Sequence, residues 1–157
     1  MADSGGRQIG HGLYFEEFPL GYRFESFGRT ITETDLVNFI GTTGFTEILF
    51  TDVEYLKTGS AIKGRVVPGA LVYALAEGLL VASIQGTGMA FLNATIDIKA
   101  PTFVGDTIHV EGEVVEARPA SKGGRGLVRT MNRVVNQRGE TVLTYNPLRL
   151  IKGRGTD

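Results

Sequence analysis

Few side chains of this 157-residue chain could move a proton, attack a carbonyl or hold a metal. Glu77 is the one charged residue in the long apolar stretch from Ala70 to Ile84. A carboxylate in such a place needs a cationic partner or a task, because burying it alone is costly. Glu47 stands between Phe45 and Phe50. Held beside two phenyl rings, a carboxylate is suited to general acid or base work; the plainer reading is a solvated loop glutamate. Pro68-Gly69-Ala70-Leu71 opens the apolar stretch. At a helix N-terminus the N–H groups of Gly69 and Ala70 favour an anion or a polarised carbonyl, unless the pair merely starts a helix.

What is missing narrows the chemistry further. There is no cysteine, which excludes thiolate nucleophiles, disulfides and cysteine-ligated metals. The two histidines, His11 and His109, have no paired-ligand spacing, so no metal is expected. The Gly-rich segment Ser121 to Gly126 lacks the strand and helix that frame a phosphate loop, and reads as a polar hairpin tip. A net charge of -1 gives no electrostatic case for nucleic acid or an anionic membrane. The stretch from Ala70 to Ile84 is shorter than the roughly 20 residues of a membrane span. Residues 1–12 read as a flexible leader without signal-peptide character, and residues 13–157 as a single domain. A cytoplasmic location is expected.

These residues need elements to position them. Thr32 looks like an N-cap, with Glu33 and Asp35 in the first turn and Leu36, Phe39 and Ile40 on one face; Gly41 and Gly44 are expected to end that helix. Asp52 is expected to cap a short turn through Leu56. Pro68 and Gly69 start a central helix that is apolar on nearly all sides and must be wrapped by other elements. From Ala90 to Ala100 a strict alternation predicts one strand, and Ile108 to Val114 another. Arg118 to Gly126 reads as a loop. Leu127–Asn136 and Glu140–Leu150 read as a hairpin, with Pro147 placing a bulge or edge in the second strand. One buried helix followed by an antiparallel meander packs best when the sheet curls around the helix, an α+β architecture.

Several segments, in order, resemble the MaoC-like hydratases and dehydratases, a hot-dog family that acts on acyl thioesters. They are Gly28 to Asp35, Gly64 to Leu71, and Lys99-Ala100-Pro101-Thr102-Phe103-Val104-Gly105-Asp106-Thr107. The loop from Thr43 to Asp52 resembles the family's Gly-Asp-x-Asn-Pro-x-His-x-Asp segment, in which the first Asp and the His add or remove water across a double bond. Here those two positions are Phe45 and Phe50, while Gly44, Leu49 and Asp52 keep the pattern.

The resemblance implies a hot-dog fold and hydro-lyase activity on an acyl-CoA or acyl-carrier thioester, with CoA as part of the substrate and no cofactor. It implies binding between subunits of a homo-oligomer or with a second hot-dog subunit, the acyl chain lying along the central helix. Phe45, Phe50, Gly69, Ala70 and Leu71 are the substrate-binding candidates it marks. Because phenyl rings cannot shuttle protons, three roles stay open. One is a lyase with a relocated acid or base such as Glu47. Another is a thioesterase using Glu77, since Pro68-Gly69 and Glu77 are spaced like the His-Gly and carboxylate of hot-dog acyl-CoA thioesterases. The last is a non-catalytic thioester-binding subunit.

Overall fold

The structure, a computed structural model, describes residues 8–155. Its long helix α4 runs Gly69–Leu80 and tightens into a 3-10 turn over Val81–Ile84. Leu71, Val72 and Ala76 of α4 are buried. They pack with Val110, Val134, Leu143 and Tyr145 in the main core. Each such aliphatic side chain contributes about 1.5–3 kcal/mol on leaving water.

Around α4 curls an antiparallel sheet. Ten strands form among the described residues: β1 Arg23–Glu25, β2 Arg29–Thr30, β3 Val66–Val67, β4 Gly88–Asn93, β5 Ile96–Ile98, β6 Thr102–Phe103, β7 Thr107–Pro119, β8 Arg125–Asn136, β9 Thr141–Tyr145 and β10 Leu148–Lys152. Eight make one sheet along the path β1-β7-β8-β10-β4, with β2 beside β7, β9 beside β8 and β5 beside β9; β3 and β6 pair separately. The β7–β8 hairpin is its spine, in register from Ile108↔Asn136 to Pro119↔Gly126. Ile108, Val110 and Val114 point inward and are buried, as alternation requires. A Cβ at Gly112 would lie 2.1 Å from Phe24 Cζ, so any larger residue there would have to push the Phe24 ring aside.

Local signals hold at the helices that precede α4. α1 spans Glu33–Thr43, and Thr32 caps it: Asp35 N–H donates to Thr32 Oγ1 at 3.2 Å and Thr32 N–H to Asp35 Oδ2 at 2.8 Å. Gly41 does not end this helix; Gly44 does, in the left-handed region at φ 77°. α2 spans Ile48–Thr51 and α3 Val53–Thr58. Asp52 caps α3 by accepting from Glu54 N–H at 3.0 Å and Tyr55 N–H at 3.1 Å.

Three expectations need correction. The alternating stretch from Ala90 to Ala100 is two strands, because Thr95 N–H leaves the ladder to bond Asn146 Oδ1 at 2.6 Å. β4 then pairs β10 and β5 pairs β9. Neither has a buried face in the single chain. The polar loop expected from Arg118 to Gly126 shrinks to residues 120–124, since β7 runs to Pro119 and β8 starts at Arg125. Pro147 does more than bulge one strand: it separates β9 from β10, its carbonyl accepting from Thr130 N–H at 3.2 Å. Of the expected leader, residues 1–7 lie outside the described residues, and Gly12 N–H donates to Gln85 O at 2.7 Å.

The turn before β7 is clamped by Asp106, which is buried. Burial alone would push its carboxyl up. Gln137 Nε2 at 2.7 Å, Phe103 N–H at 3.0 Å and Arg138 Nη1 at 3.3 Å outweigh that and hold it below the usual 3.8. A lowered folded pKa adds stability above pH 3.8, lost as pH falls through the folded value. Wild type should therefore melt higher than Asp106→Asn at pH 7, with the gap closing toward pH 3 in parallel thermal melts. A gap that widens in acid would contradict the clamp.

Candidate functional site

The loop after α1 folds its aromatic side chains onto one another. The Phe45 ring packs at a tilt against Phe39, 5.2 Å between centroids, and against Phe50 at 6.3 Å. Phe50 is 8% exposed and Phe45 40%. Arg65, just before β3, ties this layer down. Its Nη2 bonds Glu33 Oε1 at 2.7 Å and its Nη1 the Phe50 carbonyl. The same guanidinium holds the Glu33 carboxyl below the ordinary carboxylate range.

Beneath Phe50 lies a cavity of about 390 Å³ at the N-terminus of α4. Leu49, Phe50, Val67, Gly69 and Val72 line it together with Ile98, Lys99 and Thr102. Leu71 and Val72 N–H donate to the Pro68 carbonyl at 3.0 and 3.2 Å. The N–H groups of Gly69 and Ala70 precede them in the first turn, where the helix dipole favours negative charge. Glycine at 69 permits close approach of the opposite wall: a Cβ would meet Ile98 Cδ1 at 2.6 Å. Among the described residues its lining includes no carboxylate and no imidazole; Lys99 is the one charged residue and the buried Thr102 brings a hydroxyl. This arrangement can hold and polarise an acyl carbonyl. It offers little for moving protons.

Of the residues marked from sequence, the cavity brings together Phe50 and Gly69. Phe45 sits behind Phe50, Ala70 is exposed, and Leu71 is in the core. Glu47 is exposed at the start of α2, where its carbonyl accepts from Phe50 N–H at 2.8 Å. Glu77 is away from this cavity. Its carboxylate is held by Arg149 Nη2, with Oε2 at 2.7 Å, the side chains being 20% and 16% exposed. That is the partner a charge in an apolar helix calls for. His109 bonds Glu111 at 3.1 Å on the sheet, and no cluster able to hold a metal occurs among the described residues. Sequence reasoning missed Arg65, Lys99 and Arg149. Lys99 was legible in the turn segment as a conspicuous cation, but nothing local places the two arginines.

A helix inside a curled antiparallel sheet, with a cavity at the helix N-terminus under an overhanging loop, is the hot-dog architecture of the MaoC-like proteins. Residues 19–145 match the family described as FAS1-like, dehydratase domain region, and the chain belongs to it. It is similar to a 3-hydroxybutyryl-CoA dehydratase from Methylorubrum extorquens, 26% identical over 113 residues that cover 72% of this chain and 71% of that protein. Among solved structures it resembles a monoamine oxidase regulatory protein from Archaeoglobus fulgius at 33% identity and TM-score 0.82, covering 92% of this chain and 97% of that one. It also resembles the MaoC-like dehydratase from Rhodospirillum rubrum at 26% identity and TM-score 0.82, covering 92% and 100%.

Proposed function

We propose that this protein holds an enoyl or 3-hydroxyacyl thioester, as a CoA or carrier-protein ester, with the thioester oxygen at the N-terminus of α4. It serves hydration or dehydration with a non-standard active site. The reading is supported by the family and by the dehydratase relative. The observation that carries it is the cavity under Phe50, in which Gly69 opens a helix N-terminus and no lining residue is a carboxylate or imidazole. Water addition needs a base for the water and an acid for the α-carbon. Phe45 and Phe50 can supply neither, Glu47 is exposed, and Glu77 is engaged by Arg149. We therefore favour the role of a thioester-binding subunit whose acid and base come from a second hot-dog chain. Titration of crotonyl-CoA into wild type and Gly69→Val tests the site. The reading calls for no cofactor beyond the thioester itself.

Assembly and location belong to the same proposal. The α4 face of Ala70, Ala74 and Gly78 is exposed, as are Met89, Phe91 and Leu92 on edge strand β4. An exposed apolar helix face and an unpaired strand edge each call for a partner chain. Sedimentation should show a dimer or larger at micromolar concentration, and a stable monomer would remove the intersubunit site. Among the described residues no helix is long and apolar enough to cross a membrane. The CoA chemistry of the proposed substrate favours a cytoplasmic setting.

A further inference from the structure

Two cavities flank the middle of α4. The one beneath Phe50 reaches along the helix as far as Val72. A second, of about 340 Å³, meets the helix from Glu77 onward, at Leu79 and Leu80. The two share no lining residue, and among the described residues none of α4 from 73 to 76 lines either. The stretch between them is filled core. Ala76 is 0% exposed and belongs to the same buried cluster as Val72, Leu143 and Tyr145.

Tyr145 occupies that stretch. Leu143, which lines the cavity beneath Phe50, and Tyr145 are alternate residues of β9 and share a face. The Tyr145 ring packs edge-on against Tyr73, 5.2 Å between centroids. Its hydroxyl interacts with Asn132 and with Glu77, which lines the second cavity. One side chain thus runs from beside the wall of the first cavity to the wall of the second. Glu77 is itself fixed by Arg149, so the far end of the ring is held. Spacing along the helix turns this into a length. Gly69 to Val72 is about 4.5 Å along the axis and Gly69 to Ala76 about 10 Å, at about 1.5 Å per residue. The carbon–carbon bonds of a four-carbon acyl chain, about 1.5 Å each, extend at most about 4.5 Å from its carbonyl carbon. Those of an eight-carbon chain extend up to about 10 Å, into Ala76 and Tyr145.

Resting on the thioester reading above, we propose that Tyr145 sets an upper limit on acyl length, so that this protein takes short-chain thioesters of about four to six carbons and excludes those of about eight or more. The limit is steric. In a cavity that stayed open, each further buried methylene would tighten binding about fourfold. A chain that meets Ala76 and the held ring of Tyr145 must instead fold back toward the mouth or displace close-packed core side chains.

The test titrates crotonyl-CoA, trans-2-hexenoyl-CoA and trans-2-octenoyl-CoA into the full-length chain and reads the ratio of their affinities. Octenoyl-CoA should bind at least about tenfold more weakly than crotonyl-CoA, where an open cavity would make it the tightest of the series. Tyr145→Leu, which withdraws the ring, should bring octenoyl-CoA to the affinity of crotonyl-CoA or beyond. Tyr145→Phe keeps the ring and should keep the exclusion. A tyrosine that served the fold alone would shift all the affinities together and leave their ratio unchanged. Leu143→Ala, at the wall of the first cavity, should tighten hexenoyl-CoA relative to crotonyl-CoA, and it decides the matter if Tyr145→Leu does not fold. Crotonyl-CoA binding with octenoyl-CoA equal or tighter in wild type would overturn the length limit and leave the thioester reading standing. So would a folded Tyr145→Leu that still excludes octenoyl-CoA or, in its place, a folded Leu143→Ala with the wild-type ratio. No saturable binding of any member of the series would overturn both.

Discussion

Phe45→Asp combined with Phe50→His should raise crotonyl-CoA hydration by at least about 10²-fold over wild type. A positioned acid or base is typically worth about 10²–10⁴-fold, and the change installs both. The two rings already lie 6.3 Å apart, and Phe50 is held over the cavity by Arg65 at its carbonyl. Phe50 thus already faces the cavity with Phe45 in ring contact beside it, and neither ring can transfer a proton. The assay should follow loss of the conjugated thioester and release of thiol separately, because hydration consumes the first without the second. Wild type alone should show neither at enzymatic rates. Wild-type hydration on the order of 10 s⁻¹, an ordinary turnover number, would mean that another group serves, and Glu47→Gln would then be the next variant.

Glu77→Gln should cost stability and leave thiol release at background. The amide nearly matches the carboxylate in size, so packing is kept while Arg149 loses its counter-charge. Breaking a fully buried pair costs roughly 3–5 kcal/mol. Each side chain here keeps up to a fifth of its surface in water, so the loss should be nearer 2 kcal/mol, several degrees in melting temperature. Arg149→Met in the same chain should recover most of it, because the uncompensated charge is then gone. A melt unchanged by Glu77→Gln, together with loss of a measurable thiol release, would instead make Glu77 the nucleophile or base of a thioesterase.

The parts of this fold that could be read in advance are those set by local physics. The Thr32 and Asp52 caps bond N–H groups two or three residues away, so residue type and position suffice. α4 follows from Pro68-Gly69 and an apolar run, strand β7 from the alternation of Ile108 to Val114, and the β8–β9 pairing from the hairpin expected over Leu127 to Leu150. The break at Thr95 was hidden because its cause, Asn146, is 51 residues on. Arg149 meets Glu77 across 72 residues, and Arg65 reaches Glu33 across 32. Only the folded sheet brings these together. The candidate site was half legible for the same reason: Gly69 and Phe50 lie in recognisable segments, whereas the cavity they share with Lys99 and Thr102 is a product of tertiary packing.

If a thioester carbonyl sits at Gly69 in a cavity unable to move protons by itself, crotonyl-CoA should bind there and remain unchanged. The most direct measurement is a calorimetric titration of crotonyl-CoA into wild type and Gly69→Val, with the conjugated thioester absorbance read at the end. A valine side chain would occupy the space in which a Cβ already lies 2.6 Å from Ile98. Binding to wild type should be saturable and binding to the folded variant at least about tenfold weaker, roughly 1.4 kcal/mol or more, with crotonyl-CoA intact in both. Equal affinity for the two proteins, or no saturable binding to wild type, would contradict it.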